Sequence, residues 1–195
     1  MRQIALPIDA LRPDAQGSLI ITDSNMTIVQ ALAERANWPG RCAILTGPAR
    51  SGKSLMARYF VGAGVGEVVD DAEIAGDEKL FNAWNRAQQD EGALLLISRF
   101  VPAKWNIALP DLKSRLASAL HLEISSPDDE LVNHLLQKHL QDRGTAVTPE
   151  VMAYVTKRIE RRYSALEDFA RDINARALSE NRAVGLSLAK QILVD

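Results

Sequence analysis

CAILTGPARSGKS, residues 42–54, passes from an apolar run into a glycine-bounded loop that closes on Lys-Ser. Its second part fits the pattern G-x-x-x-x-G-K-[ST] at every position, with Gly47, Pro48, Ala49, Arg50, Ser51, Gly52, Lys53 and Ser54 in register. The pattern has physical content only between a buried strand and a helix, where backbone N–H groups can turn inward around phosphate oxygens. Arg41–Thr46 reads as that strand and Ser54–Phe60 as the opening of that helix. Gly47 and Gly52 supply the turn, Lys53 reaches the outer phosphates, and Ser54 offers a hydroxyl to Mg²⁺. Binding of a nucleotide's phosphates with Mg²⁺ is expected.

Short apolar runs recur on the C-terminal side of this loop. Val68–Val69, Leu94–Ile97 and Leu120–Ile124 read as further strands, and Lys79–Gln89 and Pro110–Ala119 as helices between them. Buried strands alternating with helices predict a parallel α/β sheet. On the N-terminal side, Asp23-Ser24-Asn25 offers side-chain caps for a helix expected to run through about Ala36 and to stop at Trp38-Pro39-Gly40. From Pro127 onward the pattern is helical only. Four helices are expected, at Asp128–Asp142, Pro149–Arg161, Ala165–Asn181 and Ser187–Val194, jointed at Gly144, the Arg161–Ser164 region and Gly185. The organisation predicted is an N-terminal peptide (1–9), an α/β core (10–126) and an all-helical lid (127–195).

Composition narrows the function classes. With 195 residues, 47% of them hydrophobic, the chain can bury a real core. A formal charge of −2 provides no overall basic field of the kind that drives nonspecific nucleic-acid binding, so DNA binding by this chain alone is not indicated. The single cysteine, Cys42, excludes an internal disulfide, and His121, His134 and His139 lack the spacing of a zinc site. No apolar run approaches the roughly 20 residues that span a bilayer. A reducing, cytoplasmic setting is expected.

Two further stretches carry chemistry. VVDDAE, residues 68–73, sets two carboxylates directly after an apolar strand. Asp70 there would hold Mg²⁺ through water, and Asp71 would face the outermost phosphate. At the end of the next strand, LLLISR places Ser98 and Arg99 where a polar group can sense that phosphate. The N-terminal stretch RQIALPID, residues 2–9, is interrupted too early by Pro7 and Asp9 to be a secretion signal. Pro7 favours an extended backbone at Leu6, leaving Ile4, Leu6 and Ile8 free to fill pockets.

Taken in order, SN before the first helix, GPARSGKS, VVDDAE, LFNAWN, LLLIS, LPDLKSRL and then a helical lid resemble an AAA+ ATPase of the DnaA initiator family. The resemblance covers nearly the whole chain and is greatest to the short DnaA-homologous regulators, the Hda group. It implies an AAA+ P-loop NTPase core with a small all-helical lid. Gln3-Ile4-Ala5-Leu6-Pro7-Ile8 is similar to the Q-x-x-L-P-[LI] peptide with which such regulators dock on the DNA polymerase sliding clamp. Gln3 would be the polar anchor and Leu6 and Ile8 the apolar plugs of an extended peptide in a groove.

The resemblance also implies that Arg115, in LKSRL, is the arginine finger that reaches a neighbouring subunit's nucleotide, with pairing to Asp111 one helical turn away as the plain alternative. Three departures refine it. The chain ends at Asp195 just after the lid, without room for a helix-turn-helix domain, so a regulator rather than an initiator is expected. The interval Leu55–Val69 is too short for the strand and helix usual there, so an edge strand is expected to be missing. Ser164 precedes Leu166-Glu167 where the family carries a lid arginine, which predicts weak intrinsic ATP hydrolysis, with Arg161 and Arg162 the nearest substitutes. The function implied is inactivation of the DnaA initiator: docked on the clamp, the chain would stimulate hydrolysis of DnaA-bound ATP and prevent over-initiation. A homo-oligomer stays open. So do a small-molecule P-loop kinase, which the short interval after Ser54 would suit, and a helicase-loader-like adaptor.

Overall fold

The computed structural model describes residues 19–62 and 66–194, and the peptide Gln3–Ile8 lies outside them. The chain divides into two compact units. One comprises Asn25–Ser125 with Leu19, the other Ile20–Ser24 with Ser126 onward.

The first unit is built on a parallel sheet of β1 (Cys42–Thr46), β2 (Glu67–Val69), β3 (Leu94–Ser98) and β4 (Leu120–Glu123), in the order β2-β3-β1-β4. All residues of β1 and β3 are buried, which explains their unbroken apolar runs: a central strand in a parallel sheet has no solvent face. Register aligns Cys42 with Leu94 and Thr46 with Ser98, so the ends of β1 and β3 are level. The loop after β1 and the turn after β3 therefore leave the same edge of the sheet. Among the described residues the acidic strand β2 pairs only with β3 and forms one edge of the sheet, where the sequence expected a strand to be missing. Its outer position shows in its composition, since Glu67 is ion-paired with the exposed Arg86 at 2.6 Å.

Helices α1 (Asp23–Ala33), α2 (Lys53–Gly62), α3 (Asp77–Gln89) and α4 (Pro110–Ser118) accompany the sheet. One face of it carries the main core, in which Cys42, Ile44, Leu94 and Leu96 meet Leu80 and Trp84 of α3 and Leu112 and Leu116 of α4. Helix α1 stops three residues short of the expected Ala36 and gives way to a 3₁₀ turn at Arg35–Asn37. Trp38 then anchors the chain, donating its indole N–H to Ala31 O at 2.7 Å and stacking on Phe60 at 5.2 Å between centroids. Gly40 has φ +55°, and a Cβ there would lie 2.7 Å from the Trp84 ring, so the turn into β1 needs glycine.

The second unit packs α5 (Asp129–Gln141), α6 (Pro149–Thr156), α7 (Tyr163–Ser179) and α8 (Leu186–Val194) around Val132, Leu136, Val155, Leu166, Phe169 and Ile173. Asp128 caps α5 by accepting the Leu131 N–H at 2.7 Å, and Thr148 with Pro149 opens α6. The same Asp128 carboxylate accepts from Thr22 Oγ1 at 3.2 Å and Ser24 N at 3.1 Å, which is why Ile20–Ser24 groups with these helices. Helix α6 ends at Thr156 rather than Arg161: the Arg158 N–H tightens to an i→i−3 bond with Val155 O, and the chain is extended by Arg162. Helix α7 begins at Tyr163, two residues before the expected Ala165, so Ser164 lies in its first turn.

Candidate functional site

The loop Gly47–Ser54 leaves β1 at the edge of the sheet where β3 also ends. Gly47 is buried with φ +154°, and a Cβ on it would stand 2.9 Å from Ile124 Cβ and 3.1 Å from Ile124 O. The close approach to the chain after β4 thus requires glycine. Gly52 has φ +86° and open space around it, so its requirement is conformational rather than steric. Arg50 also has positive φ, at 64°. Pro48, Ala49 and Arg50 form the exposed crown of the loop, whereas Ser51 is buried and its hydroxyl has no hydrogen-bond partner.

Lys53 begins α2 and folds over the loop, donating to Gly47 O at 2.9 Å and Pro48 O at 2.8 Å. Burial pushes its pKa down and Arg99 pushes the same way, while Asp70, Glu73 and Asp71 oppose them. Ser54 donates its hydroxyl to Asp70 Oδ2 at 2.8 Å, which joins the end of the P-loop to the end of the acidic strand. The other Asp70 oxygen accepts the Asp71 N–H at 2.9 Å. Asp71 adopts φ +50°, a strained value for a residue with a Cβ, and its side chain is exposed.

Ser98 is 1% exposed. Its hydroxyl donates to Phe100 O at 2.8 Å and accepts Phe100 N–H at 2.9 Å, so it shapes the turn that follows β3. Glu73 was not singled out by sequence reasoning. It follows Asp70 by three residues, and its Oε1 accepts the Arg99 N–H at 3.1 Å, bridging the acidic turn to the end of β3. The acidic run DDAE was the available signal. Structure thus brings together Gly47–Ser54, Asp70, Ser98, Arg99 and Glu73.

Arg115 belongs to a different cluster. Its guanidinium pairs with Asp111 at 2.7 Å, donates to Asn85 Oδ1 at 3.0 Å and lies 4.9 Å from the Phe81 ring centroid, joining α4 to α3. In the helical unit, Arg161 pairs with Asp129 at 2.7 Å and Arg162 with Glu160.

The residues fit a phosphate ligand with Mg²⁺. The loop leaves no room for a Cβ at Gly47, and Ser54 and Asp70 are the hard oxygen donors that Mg²⁺ prefers. Among the described residues no group of three or more His, Cys, Asp or Glu could hold a metal alone, so a cation here would complete its shell with phosphate and water oxygens. No helix among the described residues is long and apolar enough to cross a membrane.

No family model matches the chain. The chromosomal replication initiator protein DnaA of Lactobacillus johnsonii is 25% identical over 118 residues, which cover 60% of this chain and 26% of the initiator. The chain therefore spans about a quarter of the length of that relative. Domain III of the Thermotoga maritima replication initiation protein DnaA superposes with a TM-score of 0.71 at 17% identity, covering 91% of this chain and 94% of that domain. AMPPCP-bound DnaA from Aquifex aeolicus gives 0.62 at 14% identity over 84% of this chain and 65% of that one. The Thermotoga maritima RuvB Holliday junction branch migration motor gives 0.63 at 10% identity over 94% and 72%. The chain is thus similar in sequence to the DnaA initiators over part of its length, and it has the AAA+ fold of their third domain.

Proposed function

We propose that the chain is a nucleotide-binding regulator of replication initiation, tethered to the DNA polymerase sliding clamp, that promotes hydrolysis of the ATP held by a DnaA initiator. The observation that carries this reading is a P-loop joined to its acidic strand through Ser54 and Asp70, in a DnaA-like core whose lid has Ser164 where the family places an arginine. Arg161 and Arg162, the nearest substitutes, are engaged with Asp129 and Glu160. The chain's own nucleotide, ADP or ATP with Mg²⁺, is then a retained ligand. Gly47–Ser54 would hold its phosphates, and Ser54, with Asp70 acting through water, would hold the metal, which would supply positive charge at the phosphates.

Catalysis falls on the partner's nucleotide. Arg115 supplies a planar guanidinium that neutralises charge developing on the phosphoryl group there, a contribution worth about 10³–10⁵ in rate for trans-acting fingers. Gln3, Ile4, Leu6, Pro7 and Ile8 supply the tether, by the peptide resemblance already given. The setting is the cytoplasm, with clamp and initiator as partners.

The test is capture of the chain by purified clamp, comparing the full sequence with a form lacking residues 1–9 and with Gln3→Ala/Leu6→Ala. Capture should be lost in both variants without a fall in melting temperature. Undiminished capture would remove the tether.

A further inference from the structure

Two carboxylates, Asp70 and Asp71, end the acidic strand, but Asp71 is used through its backbone, its N–H fixing Asp70 at 2.9 Å. The third carboxylate of the run occupies the 3₁₀ turn Ala72–Ile74 and is pinned. Glu73 Oε1 accepts the Arg99 N–H at 3.1 Å, while Oε2 is sealed from solvent and has no hydrogen-bond partner. Burial works against the charge of this group. The backbone N–H groups of Glu73 and Arg99 and the Arg99 charge outweigh it and hold the carboxyl below its ordinary range. Glu73 is thereby fixed at the end of β3, level with the end of β1 from which the P-loop leaves.

We propose that Glu73 is a specificity-determining residue of the phosphate site, a fixed negative charge that discriminates against each additional anionic phosphoryl group on the nucleotide. The proposal rests on the nucleotide-binding reading above. An ionised carboxylate and a phosphoryl group are both acceptors only, so neither can satisfy the other. Their charges also repel, and more strongly where the carboxylate oxygen is cut off from solvent, as Glu73 Oε2 is. A solvated acid would swing away. Glu73 is held by the turn it braces, so the repulsion becomes a difference in affinity between a triphosphate and a diphosphate.

The experiment titrates the full chain, as wild type, Glu73→Gln and Glu73→Ala, with ADP and with AMPPCP, each with Mg²⁺, by calorimetry. Glu73→Gln retains an acceptor for Arg99 N–H but removes the charge. AMPPCP should tighten relative to ADP by at least about threefold in this variant. Glu73→Ala should move the ratio the same way while also lowering the melting temperature, because it loses the brace. An unchanged ratio in both variants would overturn the proposal and leave Glu73 a structural brace. Weaker AMPPCP binding in Glu73→Gln would overturn it in the other direction, making the carboxylate a partner of the metal or its water. Wild type that binds neither nucleotide would instead remove the nucleotide-binding reading itself.

Discussion

Replacing Arg115 with alanine separates what the residue does for this fold from what it does for a partner. In the structure its guanidinium makes an i,i+4 ion pair with the exposed Asp111, a hydrogen bond to Asn85 and a face contact with Phe81. An exposed helical ion pair contributes about 0.3–0.5 kcal/mol, a side-chain hydrogen bond about 0.5–1.5 and an exposed cation–π contact about 0.5–1. The three share one group and overlap, so Arg115→Ala should destabilise the first unit by about 1–2 kcal/mol. For a chain of this size that is a fall of about 2–8 °C in melting temperature. Arg115→Lys keeps a charge for Asp111 and should recover part of it. The functional effect should follow a different pattern. Conversion of DnaA-bound ATP to ADP, assayed with DNA-loaded clamp, should slow at least tenfold in Arg115→Ala, about 1.4 kcal/mol of transition-state stabilisation. Arg115→Lys should remain slow, since a point charge does not reproduce the planar fork. Asn85→Ala is the control, because it weakens the same cluster but leaves the guanidinium, and it should lower the melting temperature with the rate kept. Equal rates for wild type and Arg115→Ala would refute the finger and leave Arg115 as a tie between α3 and α4.

Lys53→Ala should abolish the rise in melting temperature produced by ADP and Mg²⁺, while the apo protein loses only the two bonds from Nζ to Gly47 O and Pro48 O; a persisting ADP shift would place the nucleotide elsewhere. His139 has its pKa pushed below 6.5 by burial, with Arg143 and Lys138 adding to the effect and Glu167 and Asp142 opposing it. The unfolded chain therefore binds more protons than the folded one just below pH 6.5, so stability should fall as pH drops through that region. Urea midpoints between pH 7 and pH 5 should show this loss in wild type and a shallower one in His139→Gln; parallel slopes would exclude His139 as the source.

The strands and the P-loop were legible because their causes are local. CAIL and LLLI, the first four residues of β1 and β3, are apolar throughout, and GPARSGKS is constrained residue by residue by the turn it makes. The ends of α6 and α7 were misplaced because no glycine or proline marks a stop between Thr156 and Tyr163. The break shows only in the Arg158 N–H tightening onto Val155 O and in the extended conformation of Arg162. The membership of Ile20–Ser24 was hidden for another reason, since Asp128 lies more than a hundred residues away along the chain.

The sequence by itself determined the phosphate loop, the acidic strand end, the change from an α/β core to helices near residue 126 and the serine at position 164. Each is a matter of residue type at short spacing, where backbone geometry and periodicity leave few alternatives. Tertiary structure alone decided what each carboxylate of the acidic run touches. Parallel pairing of β2 with β3 sets the acidic turn beside the turn after Ser98, so Glu73 reaches Arg99 N–H while the Asp71 side chain is exposed and its backbone bonds Asp70 and Ile74. It likewise decided that Arg115 rests against Phe81 and Asn85, because packing of α4 on α3 brings together side chains about 30 residues apart. Contacts of that kind depend on the register of strands and the packing of helices, and no local pattern encodes either.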